Sequence, residues 1–232
     1  MRFGDLNWMD VEEYLKHDDR VMLVLGSSEQ HGYLSLQTDV RIPLALADAA
    51  SQQTNVLVAP ELTLGVTPYF LSYPGTISLR CETLLMVVED VIRSLYGSGF
   101  RRILILNGHG GNELARDKCV ELANQLDGLR VIWYAWWMSH SVSALAQKYD
   151  LPPEHANWME AFNFTRVTEL PSGSKKPVSY SGLLNAEQSR QVYGDGTFGG
   201  PYVADEQVMD ELFQVCLSDI LYFLQFPDLP TS

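Results

Sequence analysis

Arg102-Ile-Leu-Ile-Leu-Asn-Gly-His-Gly-Gly-Asn112 decides the fold. Residues 102–106 are apolar after the first position and show no polar alternation, so both faces of the strand they form must be covered, as in the interior of a parallel sheet. The run stops at Asn107, passes three glycines around one histidine, and gives way to a helical pattern over residues 112–126. A strand feeding a helix through a tight turn is half of a βαβ unit. The same arrangement recurs upstream. Residues 21–25 are a continuous apolar run ending at Gly26, a helical pattern extends from Asp39 through residues 42–50, and residues 55–60 return as a strand. Residues 129–134 supply a further strand. Helices are also expected over residues 11–16 with Asp10 as cap, over 82–96 closed by Gly97 and Gly99, and over 141–149, 154–165 and 205–226. Residues 168–203, rich in Gly, Pro and Ser, read as a long irregular excursion, a kind of segment more often functional than idle. The expected fold is α/β: a single-domain α/β/α sandwich over residues 1–232, with a mostly parallel central sheet and the active site at the carboxyl ends of its strands.

Composition narrows the function. With 46% hydrophobic and 19% charged residues in 232, the chain can bury a sizeable core, and no stretch reads as a linker. A formal charge of −13 argues against a nucleic-acid partner, which would require clustered Lys and Arg. No basic segment followed by an apolar one opens the sequence, and no apolar run reaches the roughly 18 residues of a membrane span, so a cytoplasmic location without membrane association is expected. Cys81, Cys119 and Cys216 are odd in number and widely spaced, which excludes a disulfide framework and paired zinc spacing; packing is their expected role.

Acidic residues and histidines gather where the apolar runs end. Glu29 and His31, two positions apart on an extended segment, point to one side, and Asp39 opens the next helix, where it either caps that helix or reaches back toward the same cavity. His109 stands at the apex of the glycine turn. That turn has neither the Gly-Lys-Ser/Thr ending nor the G-x-G-x-x-G spacing of a phosphate loop, so a histidine held by glycines reads as a metal ligand or catalytic base. His155 and Glu160 form a third acid–histidine pair. Trp133, Trp136, Trp137 and Trp158 suit core or subunit contact better than pocket walls, and His17 and His140 have no motif around them.

Taken together, these motifs resemble the creatininase family, also called creatinine amidohydrolases. The family pattern of Gly-Ser-x-Glu-Gln-His-Gly, Thr-Asp, Pro-Gly-Thr-Ile, Asn-Gly-His-Gly-Gly-Asn and His-Ala-Gly-x-x-Glu stands here as residues 26–32, Thr38-Asp39, residues 74–77, residues 107–112 and residues 155–160. Residues 194–200 resemble the family's late Gly-Asp loop. The resemblance implies two divalent cations per chain, zinc, manganese or iron(II), bridged by Asp39. Glu29 and His109 would complete one site and His31 the other. Creatininase proper has a further glutamate where this chain has Gly111, and Glu160 is the candidate replacement. His155 is the expected catalytic residue, a proton shuttle to the departing nitrogen, because an imidazole titrates in the needed range and, on a helix, lies near Glu160 without having to be a ligand. Tyr33 to Leu36 and Asn157 depart from the family pattern, at positions expected on the pocket walls.

The chemistry that such a centre supplies is general. Two cations about 3.5–4 Å apart lower the pKa of a water between them and polarise a carbonyl. The implied activity is hydrolysis of a C–N bond in a small cyclic amide or formamide. A maturation peptidase, a formamide hydrolase of cofactor biosynthesis, or a non-catalytic metal- or ligand-binding relative are the alternatives. The resemblance also implies a homo-oligomer, commonly a hexamer.

Overall fold

A computed structural model describes residues 1–228; the last four residues of the expected domain lie outside the described residues. Four parallel strands form the central sheet: β1 (Arg20–Leu25), β2 (Leu57–Val58), β3 (Arg102–Asn107) and β4 (Arg130–Ala135), in the spatial order β2-β1-β3-β4. β1 and β3 are in register along their whole length, from Arg20 opposite Arg102 to Leu25 opposite Asn107. Their carboxyl ends therefore stop side by side. This register brings the segment after Leu25 and the glycine turn after Asn107 to one edge of the sheet.

Alternation along the strands divides the core in two. Met22, Val24, Leu104 and Leu106 face α2 (Thr38–Thr54), α5 (His140–Lys148) and α7 (Glu206–Phe223). Val21, Leu23, Leu25, Ile103 and Ile105 face α3 (Cys81–Ser98) and α4 (Ala115–Gln125), with α1 (Trp8–Leu15) packed at the margin of that layer. Strands buried on both sides need no polar face, which is why their sequence is continuously apolar. The layers are those of the expected sandwich.

Several local expectations are corrected. The first helix begins at Trp8 and is capped by Asn7, whose side chain accepts from Met9 and Asp10; Asp10 closes a capping box from the third helical position. The strand expected over residues 55–60 shrinks to Leu57–Val58, because Asn55 caps α2 in a left-handed conformation. Residues 154–165 hold only a 3-10 turn at Trp158–Glu160. There Asn157 spends its side chain on the backbone of Pro152, Met159 and Gly199, and Ala156 has φ 58, so an α-helix cannot start. Within residues 168–203 lie a helix, α6 (Ala186–Tyr193), and a small antiparallel pair, β5 (Ser174–Lys175) with β6 (Gly200–Pro201). Cys119 and Cys216 are buried as expected, whereas Cys81 is exposed. Trp136 and Trp158 are core residues. No helix among the described residues is long and apolar enough to cross a membrane.

Candidate active site

Glu29, His31, Asp39, His109 and Glu160 converge beyond the ends of β1 and β3, all buried, from 1% exposure at Glu29 to 7% at Glu160. Two triads can be drawn among them, Glu29–Asp39–His109 and His31–Asp39–Glu160, and Asp39 belongs to both. Its two oxygens are divided between the histidines: Oδ1 lies 2.9 Å from His31 Nε2 and Oδ2 lies 3.0 Å from His109 Nδ1. Glu29 Oε2 is 3.5 Å from His109 Nδ1, and Glu160 Oε2 is 3.8 Å from His31 Nε2. Asp39 occupies the first turn of α2, whose N-terminus has no side-chain cap. Its carboxylate serves the cluster, not the helix end.

Backbone carbonyls fix which nitrogen each histidine turns inward. His31 Nδ1 is 3.3 Å from Glu29 O, and His109 Nε2 is 2.9 Å from Val66 O. A carbonyl only accepts, so each outer nitrogen carries the hydrogen and each neutral ring presents its lone pair to Asp39. Acceptor then faces acceptor at about hydrogen-bond distance, an arrangement that requires positive charge between the two atoms. The contacts are short, yet Glu29 Oε2, His31 Nε2 and Asp39 Oδ2 lack an aligned hydrogen-bond partner within the described residues. These atoms aim at shared points in space more than at one another. Mixed oxygen and imidazole donors, with outer N–H groups anchored on backbone, fit divalent cations such as zinc or manganese.

The cluster's electrostatics say the same. Burial opposes charge on His31, but Asp39, Glu160 and Glu29 outweigh it and raise the ring to about 10. Burial likewise disfavours the charged His109, and Glu29 with Asp39 overrides it, leaving its pKa well above the ordinary value. Burial pushes Asp39 up, yet the two histidines hold it well below the carboxylate range. Glu160 is lifted to about 7, by burial first.

The surrounding loops are bound together by side-chain amides. Asn107 Nδ2 donates to His109 O and to Glu113, while its Oδ1 accepts from His109 N. Asn112 Nδ2 donates to Gly26 O at 3.0 Å, joining the glycine turn to the segment that carries Glu29 and His31. Glu160 Oε2 accepts from Ala156 N at 2.6 Å. The left-handed backbone at Ala156, which costs a non-glycine residue about 1 kcal/mol, turns that N–H inward.

Gly111 bears on the carboxylate that this chain lacks there. A Cβ on Gly111 would lie 1.8 Å from Val66 O and 2.6 Å from His109 Nε2, inside the contact that orients the His109 ring. Gly111→Glu is therefore expected not to restore a ligand but to displace the residue 66 backbone and destabilise the protein by about 2 kcal/mol or more. Chemical denaturation checks this; an equally stable variant with unchanged metal content would contradict it.

A cavity of about 420 Å³ opens above the cluster. Glu29, Asp39, His109 and Glu160 line its floor with His155 beside them, and Tyr69, Phe70, Trp137 and Phe198 wall it. His155 is stacked on Phe70, with ring centroids 5.0 Å apart, and its Nδ1 lies 4.0 Å from Glu29 Oε1. It also forms a third potential ligand group with Glu29 and His31. His155 is not on a helix, contrary to expectation. Nor do residues 33–36 or Asn157 line the cavity: Leu34 and Asn157 are buried, and Asn157 ties its segment to Gly199. Tyr69, Phe70 and Phe198 were not singled out from the sequence. Phe198 sits within the late Gly-Asp loop, whereas nothing around residues 69–70 marks them beyond a proline.

Solved creatininase structures share this three-layer α/β fold. A creatininase structure with Mn matches at a TM-score of 0.82 over 98% of this chain and 99% of that chain; at 22% identity the likeness shows the fold. The chain belongs to the creatininase family, described as creatinine amidohydrolase, whose model matches residues 4–224. Creatinine amidohydrolase of Pseudomonas putida is 33% identical over 150 residues, 62% of this chain and 56% of that protein. The mycofactocin precursor peptide peptidase of Mycobacterium tuberculosis (strain CDC 1551 / Oshkosh) is 36% identical over 113 residues, 44% of this chain and 45% of that protein. The chain thus spans about half the length of these curated relatives.

Proposed function

We propose that the protein is a metal-dependent amidohydrolase that cleaves the C–N bond of a small cyclic amide or formamide. The observation that carries this reading is the division of Asp39 between two inward-facing imidazole nitrogens, one carboxylate oxygen to each. Glu29, Asp39 and His109 would hold one divalent cation and His31, Asp39 and Glu160 a second, with zinc, manganese and iron(II) all compatible with the donors. When bound, such cations supply Lewis acidity, lowering the pKa of water and polarising a carbonyl. The chain does the rest. Phe70, Tyr69, Trp137 and Phe198 would give the bound substrate an apolar enclosure, and His155 borders the floor where the reacting amide would lie. We further propose that the enzyme works as a homo-oligomer.

The cleavage of a precursor peptide by the mycobacterial relative favours a second reading, peptide hydrolysis at the same centre. A panel separates the two. Purified protein is assayed by plasma emission for bound metal and then offered lactams, N-formyl compounds and short peptides. Turnover of a lactam or formamide with bound metal supports the proposal. Amino-acid release alone would shift it to the peptidase reading, and metal-free protein with full turnover would overturn it.

His155→Ala tests the division between ligand and non-ligand. It is expected to keep its metal content while kcat falls by about 10²-fold, the scale of a lost hydrogen-bond donor to developing charge. Loss of metal from this variant would move His155 into the ligand set.

A further inference from the structure

Gln30 lies between the two ligands Glu29 and His31, and its buried side chain turns away from them toward the late glycine loop. Its Oε1 accepts from Gly32 N at 3.1 Å and its Nε2 donates to Gly196 O at 3.0 Å. A backbone N–H can only donate and a carbonyl can only accept, so the amide cannot be reversed without opposing two donors and two acceptors. The remaining contact of Gln30 Nε2 is with His155 Nε2, at 2.9 Å. Here the amide must be the donor. The imidazole Nε2 must therefore present a lone pair, and a neutral ring then carries its hydrogen on Nδ1.

We infer that Gln30 is a positioning residue that holds His155 as the Nδ1–H tautomer, making Nδ1 a hydrogen-bond donor turned toward the acidic cluster. Three features support this assignment independently. The ring is packed against Phe70 and Phe198, with centroids 5.0 and 4.8 Å away, so it does not turn over freely. Nδ1 lies on the side of Glu29 Oε1, an acceptor, at 4.0 Å. Gly196 has φ 98, and a Cβ there would lie 1.7 Å from Gln30 Oε1, so this glycine is what lets the loop press its carbonyl against the amide.

The consequence sharpens the role of His155. A ring whose Nε2 lone pair is engaged by an amide cannot take up a proton at that nitrogen until the contact breaks. Nδ1, holding a hydrogen, has no lone pair for a cation. His155 thus serves as a neutral donor to the oxygen of a bound amide, or to its nitrogen once the carbonyl carbon has become tetrahedral, a part that rests on the proposed hydrolysis. This contrasts with His31 and His109, whose outer nitrogens meet carbonyls and whose inner nitrogens are free to ligate. Tautomer choice by one neighbouring group distinguishes ligand from donor within a single cluster.

Long-range ¹H–¹⁵N correlation spectra of the full chain, metal-free and after addition of Zn²⁺, test the inference. His155→Asn identifies the signals. In the unaltered protein His155 is expected to show protonated Nδ1 and unprotonated Nε2 in both states. Gln30→Glu replaces the donor with an acceptor and is expected to transfer the hydrogen to Nε2. Gln30→Met, which removes the donor at similar volume, is expected to give a mixture. An Nε2–H pattern in the unaltered protein overturns the inference without requiring any variant to fold, and so does a pattern that neither substitution moves. The proposed reaction fails separately: the expected spectra with no turnover across the amide panel would leave the tautomer assignment standing and remove the hydrolysis.

Discussion

Asp39→Ala is expected to abolish amide hydrolysis and to strip most of the bound metal. The carboxylate stands within 3.0 Å of both inward-facing imidazole nitrogens, one oxygen to each, and belongs to both triads. Glu29 comes to 3.5 Å of His109 and Glu160 to 3.8 Å of His31, so neither carboxylate approaches an inward-facing imidazole as closely as Asp39 does. Removal also leaves two buried imidazoles facing a space with less negative charge, so each gives up the favourable pairing that now opposes its desolvation. The expected loss in kcat is about 10³-fold or more, the scale associated with removing electrostatic stabilisation of a transition state. Metal analysis beside the activity assay is the check. A fully metallated and active Asp39→Ala protein would contradict the shared-ligand arrangement.

Metal binding should release protons and weaken steeply in acid. In the cation-free cluster the neighbouring carboxylates raise His31 to about 10, so that ring is protonated at neutral pH, and they raise His109 above its usual value. A cation requires the lone pairs at His31 Nε2 and His109 Nδ1, so a proton held at either nitrogen must leave. Glu160, lifted to about 7, adds a further proton as the pH falls below neutrality. The affinity for cations is expected to drop at least about 10-fold for each unit of decreasing pH, through the His31 proton alone, and more steeply below neutrality, where Glu160 adds another. Calorimetric titrations with Zn²⁺ in buffers of different ionisation enthalpy would count the protons directly. Binding without proton release would mean that the rings are already neutral. The sign reverses for the cation-free fold. There the raised pKa of His31 contributes stability that is fully present below about 6.5 and is lost as pH rises through about 10.

Much of this architecture could be read from residue order alone. Two-sided burial leaves strands such as residues 21–25 and 102–106 with no polar face, and the pattern shows through any tertiary detail. The acidic and imidazole residues stood out because they interrupt those runs at their carboxyl ends. Residues 154–165 were harder. Their apolar spacing suits a helix, but the bonds that prevent one run from Asn157 to Pro152 and to Gly199, more than forty positions away in the latter case. Periodicity carries no record of such partners. Asp39 is ambiguous for a related reason: a carboxylate in the first turn of a helix is as suited to capping as to ligation, and only the spatial approach of His31 and His109 shows that it faces the cluster. The direction in which Gln30 turns its amide lies equally beyond the reach of spacing, because the carbonyl of Gly196 that orients it arrives from a loop 166 residues later.

The bond from Asn112 to Gly26 O makes one block of the two turns that end β1 and β3. Glu29, His31 and His109 ride on that block and inherit the stiffness of the sheet beneath it. The aromatic side chains of Tyr69, Phe70, Trp137 and Phe198 come from other connections, outside that block. Reshaping these connections can alter which molecule is received while the acid–imidazole geometry stays intact, a separation of chemistry from recognition that gives one scaffold room for several substrates.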